Sequence, residues 1–106
     1  MKRPSKYGNV KTVVDGITFD SKKEADRYAE LKLLLRAGAI SDLELQPRFP
    51  IEVNGRKVCT YIADFSYNSY GSRVVEDVKG MKTATYKLKA KLVEAVHGVT
   101  VVEISR

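Results

Sequence analysis

A single cysteine, Cys59, is all that the 106-residue chain contains. One thiol excludes an intrachain disulfide and a cysteine-based metal centre, and its place in a β-prone segment predicts a packing role. Long apolar runs are missing too. No stretch approaches the roughly 18 residues that a membrane-spanning helix needs. Met1-Lys2-Arg3 is not followed by the apolar core of a signal peptide. The expectation is a soluble, intracellular protein of the cytoplasm with no membrane partner. Internal repeats and low-complexity segments are also absent. The length leaves room for one domain with a modest core, burying under about 70% of the unfolded surface.

Acids are missing from two segments. The chain has 19 Lys and Arg against 13 Asp and Glu, a net charge of +6, and the excess is uneven. Residues 1 to 12 hold Lys2, Arg3, Lys6 and Lys11 with no acid, and residues 79 to 91 hold Lys79, Lys82, Lys87, Lys89 and Lys91 with none. Such segments attract phosphate without regard to sequence, which makes a nucleic acid the expected partner. A membrane surface is the competing partner, and a basic tail plus a solvated helix flank is the plain structural alternative.

Residues 1–12 lack periodicity and read as a basic arm, which leaves 13–106 as the single domain. Val13 to Phe19 forms a hairpin around Asp15-Gly16, since Asp-Gly supplies the positive φ angles of a two-residue turn. A helix starts at Asp20 or Ser21 and ends near Ala37, with Gly38 closing it. Leu43 to Val53, interrupted by Pro47 and Pro50, reads as an irregular or edge strand. Asn54-Gly55 joins it to a second strand from about Arg56 to Tyr67. After a turn centred near Tyr70-Gly71, a third strand runs from Arg73 to Lys79. Helical spacing returns from about Thr83 to His97, Gly98 ends it, and 99–104 is a last strand. The fold class is α/β: helix, three-stranded antiparallel meander, helix, strand, with a mixed sheet flanked by helices.

A turn at Tyr70-Gly71 sets Asp64 opposite Asp77. Alternation then carries Lys79 to the face of Asp77 and Glu76 to the other. Two facing carboxylates repel unless a positive charge lies between them, and a hard divalent cation, Mg²⁺ or Mn²⁺, supplies it. Asp64, Asp77 and the Val78 carbonyl would make an open site that activates water toward a phosphate, with Lys79 orienting the water or stabilising the transition state. The competing reading is a pair of solvent-facing aspartates with Lys79 as their salt-bridge partner. Glu24 is divided. Ser21-Lys22-Lys23-Glu24 fits a helix capping box, yet Glu24, Tyr28, Leu31 and Leu35 share one stripe that can face the strands. Lys87 and Lys91, four apart, share a helix flank suited to holding phosphates. Tyr86 reads as core, and His97 as a residue complementing the helix C-terminus.

Asp64, a spacer of a dozen residues and then Asp77-Val78-Lys79 resembles the signature of the PD-(D/E)XK nuclease superfamily. The segments KYGNVKTVVDGITFDSKKEADRY, LELQPRFPI, ADF and VVEDVKG resemble a family of small phage-encoded endonuclease-like proteins within it, over nearly the whole chain. The resemblance implies a restriction-endonuclease-like core, with metal ligands at Asp64 and Asp77, a catalytic lysine at Lys79 and an acid on the first helix at Glu24. It also implies a role at the DNA or the attacking water for Gln46; a buried amide bonded to backbone is the alternative. The residue before Asp64 is Ala63 where the signature has proline, a position that does no chemistry. If the protein is phage-encoded, its compartment is the host cytoplasm.

These readings lead to a divalent-metal-dependent DNA endonuclease. So small a domain has little surface for reading bases, so branched DNA such as a Holliday junction is the expected substrate. Two cuts per junction imply a homodimer. The rival expectations are a nicking or end-processing nuclease of a phage replication or packaging system, and a nucleic-acid-binding module without catalysis.

Overall fold

The computed structural model describes residues 11–78 and 83–104. Lys2, Arg3 and Lys6 of the expected arm, and Lys79 and Lys82, lie outside the described residues. Three two-residue turns organise the strands. Asp15-Gly16, Asn54-Gly55 and Tyr70-Gly71 each take positive φ at both positions (53° and 75°, 52° and 78°, 51° and 80°). That backbone matches the natural twist of a hairpin. The first joins β1 (Thr12–Val14) to β2 (Ile17–Phe19).

Helix α1 (Lys22–Arg36) begins where Ser21 Oγ accepts the Glu24 N–H at 3.2 Å. It stops at Ala37, after which Gly38 adopts φ +81° and donates its N–H to the Leu35 carbonyl. Ala25, Tyr28 and Leu31, spaced three apart, form its buried stripe. Burying Leu31 completely contributes roughly 2–3 kcal/mol.

The main sheet has four strands in the order β3 (Ser41–Leu45), β6 (Phe65–Ser69), β7 (Ser72–Val78), β8 (Thr100–Ile104). The first two pairings are antiparallel, whereas β7 and β8 are parallel because α2 (Ala84–His97) carries the chain across. Thr83 caps α2 and Gly98, at φ +68°, ends it. The α/β class with a mixed sheet and two helices therefore holds.

The simple meander does not. The strands expected over Leu43–Val53 and Arg56–Tyr67 each break in two, and the pieces β4 (Arg48–Val53) and β5 (Arg56–Ile62) form a separate two-stranded ribbon. The register runs through the break unchanged: Leu45↔Phe65 on one side and Arg48↔Ile62 on the other. Gln46 N–H donates to the Asp64 carbonyl at 2.9 Å and Ala63 N–H to the Pro47 carbonyl at 3.1 Å. One long hairpin thus bends at a single level, where Gln46 takes φ +49° and Pro47 offers no N–H to extend the sheet.

Side-chain alternation along β7 divides two cores. Val74 and Val78 face α1 among Phe19, Tyr28, Leu31 and Phe65, and Val75 faces α2 among Ile51, Tyr61, Ala63 and Val93. The rings of Phe19, Tyr28 and Phe65, with centroids 5.0–6.4 Å apart, lock β2 between α1 and β6. No helix among the described residues is long and apolar enough to cross a membrane.

Tyr70 holds a left-handed backbone while its side chain is 98% exposed, so the ring contributes no burial to offset the strain. Tyr70→Asn should raise stability by about 0.5–1 kcal/mol, read as a higher midpoint in urea unfolding, because asparagine tolerates positive φ.

Candidate active site

Asp64 sits at the bend between β5 and β6, and its backbone is held on both sides. Its N–H donates to the Glu76 carbonyl (3.1 Å) while its own carbonyl accepts from Gln46 (2.9 Å). The carboxylate turns to the end of β7, where Oδ2 accepts the Val78 N–H at 2.7 Å. The β6–β7 ladder ends at the pair Phe65↔Glu76, and the Asp64 N–H bonds to the same Glu76, one residue before Asp77. Val78 itself is buried and pairs with Ile104 of β8.

Glu24 and Gln46 reach the same place from other directions. A cavity of about 200 Å³ is lined by Ile17, Thr18 and Phe19 of β2 together with Glu24, Leu45, Gln46 and Asp64. Glu24 serves twice: its N–H completes the Ser21 cap, and its half-buried side chain lines the cavity. Gln46 is exposed, which removes the alternative of a buried amide.

Asp77 has no exposed surface and projects to the α2 side, alternating with Glu76. The hydroxyl of Tyr86 registers the local field: burial raises its pKa first, and the charges of Asp77, Glu103, Asp64 and Glu94 raise it further. Tyr86 packs in the α2 core with its ring 6.4 Å from that of Tyr61. His97 does more than close a helix, since its Nε2 lies 2.7 Å from the Pro50 carbonyl and its ring stands edge-on to Phe49. Lys87 and Lys91 are exposed on α2. Lys11, expected to hold phosphate, lies 3.4 Å from Asp20.

Among the described residues no group of three or more His, Cys, Asp or Glu side chains is gathered closely enough to hold a metal ion. Asp64 and Glu24 line one cavity, and Asp77 stands on the α2 side of the neighbouring strand. An all-oxygen set of this kind fits Mg²⁺ or Mn²⁺, which take one or two protein carboxylates and keep several waters.

Sequence reasoning overlooked the neighbour that holds this corner. Glu76, with no exposed surface, receives both Nε (2.8 Å) and Nη2 (2.7 Å) of Arg27 from α1, and the Tyr67 hydroxyl donates to its Oε2. Arg27 also reaches Glu30 at 3.0 Å. The hydrogen bonds to Glu76 raise the Arg27 pKa, and burial followed by the Glu76 contact pushes the Tyr67 hydroxyl up to about 12. The available signal was an acid at an inward strand position, which demands a cation, with Arg27 one turn beyond Glu24 on the helix facing it.

A family model described as a protein of unknown function, DUF1064, matches residues 4–102, and the chain belongs to that family. No curated protein matches the chain.

Arg27→Met strands the Glu76 charge and should cost about 3–5 kcal/mol in chemical unfolding, most of which the double change Arg27→Met with Glu76→Met restores. Tyr67 adds a pH signature. Its folded pKa lies above the ordinary 10, so its contribution is complete below pH 10 and is lost as pH rises toward 12. Wild type should lose roughly 2–3 kcal/mol over that window that Tyr67→Phe does not lose, measured by unfolding at stepped pH.

Proposed function

We propose that this DUF1064 protein is a divalent-metal-dependent DNA endonuclease with a restriction-endonuclease-like core of the PD-(D/E)XK kind. The observation that carries the reading is the bend at Asp64, which brings that carboxylate into one cavity with Glu24 and onto the end of β7, where it accepts the N–H of Val78, the residue after Asp77. Acids concentrated in a partly buried corner repel one another, and a bound cation relieves the repulsion. The order of elements adds support, with Glu24 on the helix before the strands and α2 after Asp77.

Asp64 and Asp77 would hold Mg²⁺ or Mn²⁺, assisted by the Val78 carbonyl and by Glu24. When bound, such an ion neutralises charge on a phosphoryl oxygen and makes water more acidic. Asp64 is preorganised for this work, since three backbone hydrogen bonds fix its position before any ligand arrives. Lys79, outside the described residues, follows Asp77 by two positions, and strand alternation would bring its ammonium to the same side. There it would balance the negative charge that develops on the phosphate. Gln46, exposed at the cavity, is suited to hydrogen-bond a water or a phosphate oxygen. Branched DNA is the proposed substrate, and two cuts per junction call for a homodimer.

The test is cleavage of matched junction, flap, nicked and linear DNAs. Wild type should cut with Mg²⁺ or Mn²⁺ and stop in EDTA, and Asp77→Ala should cut at least about 100-fold more slowly. Equal rates for the two proteins, or no cutting of any substrate by wild type, would sink the nuclease reading. Junctions cut no faster than linear duplex would remove the preference for branched DNA alone.

A further inference from the structure

The described cations divide into two populations. Lys11, Lys22, Arg27, Lys32 and Arg73 each meet a carboxylate within 4 Å, and they surround α1 and the sheet beside it. Arg48, Arg56 and Lys57 of the β4–β5 ribbon, and Lys87, Lys89 and Lys91 of α2, have no ion pair among the described residues; on α1 only Lys23 and Arg36 share that condition. Acids are scarce on this side. Glu52 is the only one in the ribbon, and Glu94, the only one in α2, accepts the Val101 N–H at 2.9 Å. The ribbon and α2, packed on each other through Ile51, Tyr61 and Val93, thus each carry cations without an ion pair among the described residues.

We infer that the ribbon seats duplex DNA through the major groove. The inference deepens the nuclease reading and rests on it for the identity of the partner. The shape of the ribbon argues for a duplex of B-form. Two strands closed by the tight Asn54-Gly55 turn make a narrow blade, and a major groove about 12 Å wide admits such a ribbon. The major groove of A-form RNA is too deep and narrow for side chains to read. A single strand would require exposed aromatics for stacking, whereas Phe49 and Tyr61 are turned into the α2 core.

The outer face presents Arg48 beside Ile62, which is 47% exposed, and the tip carries Arg56 and Lys57. Between ribbon and helix lies a cavity of about 340 Å³, lined by Thr60, Tyr61, Thr83, Thr85 and Lys89 among others. It offers hydroxyls, a lysine and the N-terminus of a helix whose first turn holds no acid. Tyr61 lines it while only 4% exposed, and its hydroxyl has no hydrogen-bond partner among the described residues. The blade leaves the sheet at Asp64, so a groove seated on it lies beside the carboxylate corner.

Fluorescence anisotropy with a labelled duplex of about 30 base pairs, in EDTA and over a series of salt concentrations, tests the assignment. The triple change Arg48→Gln, Arg56→Gln, Lys57→Gln should weaken binding at least about tenfold near 0.1 M salt and lower the logarithmic salt slope by roughly 2–3. Lys22→Gln with Lys32→Gln, on the paired side, should leave affinity and slope at wild-type values. Thermal unfolding monitors folding, and Lys57→Gln alone, at the exposed tip, should still lower the slope by about 1. Wild-type affinity and slope in the triple variant overturn the inference, as does tighter wild-type binding to duplex RNA or to single-stranded DNA. Because EDTA prevents cleavage, a wild type that binds through the ribbon yet cuts nothing with Mg²⁺ refutes the nuclease chemistry and upholds the DNA seat.

Discussion

Glu76 is a carboxylate with no exposed surface in the central pair of strands, and its neutralisation by Arg27 is the constraint from which the local geometry follows. A buried charge without a partner costs several kcal/mol, so helix α1 cannot slide or rotate against β7 without losing the two-pronged contact. Fixing Arg27 also fixes Glu24 one turn earlier. On the strand side, the backbone carbonyl of the same Glu76 receives the Asp64 N–H. One residue therefore sets helix and bend against each other, with its side chain holding α1 and its main chain holding the corner. Such a pair contributes little net stability compared with apolar packing, but it selects one register.

The bend needs its own account of backbone hydrogen bonds. Where two strands turn out of a sheet, N–H and C=O groups lose their ladder partners, and unsatisfied groups are costly when buried. Here Gln46 and Ala63 donate across the corner, Asp64 donates to Glu76, and the Asp64 carboxylate accepts from Val78 at the end of β7. Asp64 thus stands in for a missing strand neighbour. The arrangement explains how a carboxylate can occupy the junction of two sheets, and it leaves that carboxylate beside the cavity containing Glu24.

Much of this could be read from local signals. Asp-Gly and Asn-Gly mark two of the turns, and the polar cluster around Tyr70-Gly71 marks the third, because two-residue hairpins need positive φ and few residues accept it. Ser21, Gly38, Thr83 and Gly98 frame the two helices through cap chemistry. The turn position and a period of two gave the β6–β7 register as far as Phe65↔Glu76, but the expected facing of Asp64 and Asp77 stops there, because the Asp64 N–H bonds to Glu76. The break in the long hairpin did not follow from local signals, since β-like alternation continues through Ala63 and Asp64 and glutamine is an uncommon residue for the left-handed backbone of Gln46. Pro47 and Pro50 pointed to irregularity without saying which way the chain turns. The partner of Glu76 was hidden for another reason: Arg27 lies 49 residues away, beyond any local pattern.

The electrostatic layout sets a requirement of its own. Asp64, Asp77 and Glu103 raise a negative potential that Tyr86 senses on the α2 side, and phosphate is repelled by such a corner. The adjoining ribbon and helix carry six cations that have no ion pair among the described residues. Alone, either feature is ambiguous, since an acidic corner binds cations without implying a substrate and a basic face binds polyanions without implying a reaction. On the proposed nuclease reading the two divide the labour, and the ribbon would hold a DNA backbone against the repulsion of the acids. On that reading a cation held at the corner would reverse the sign of the potential met by the phosphate.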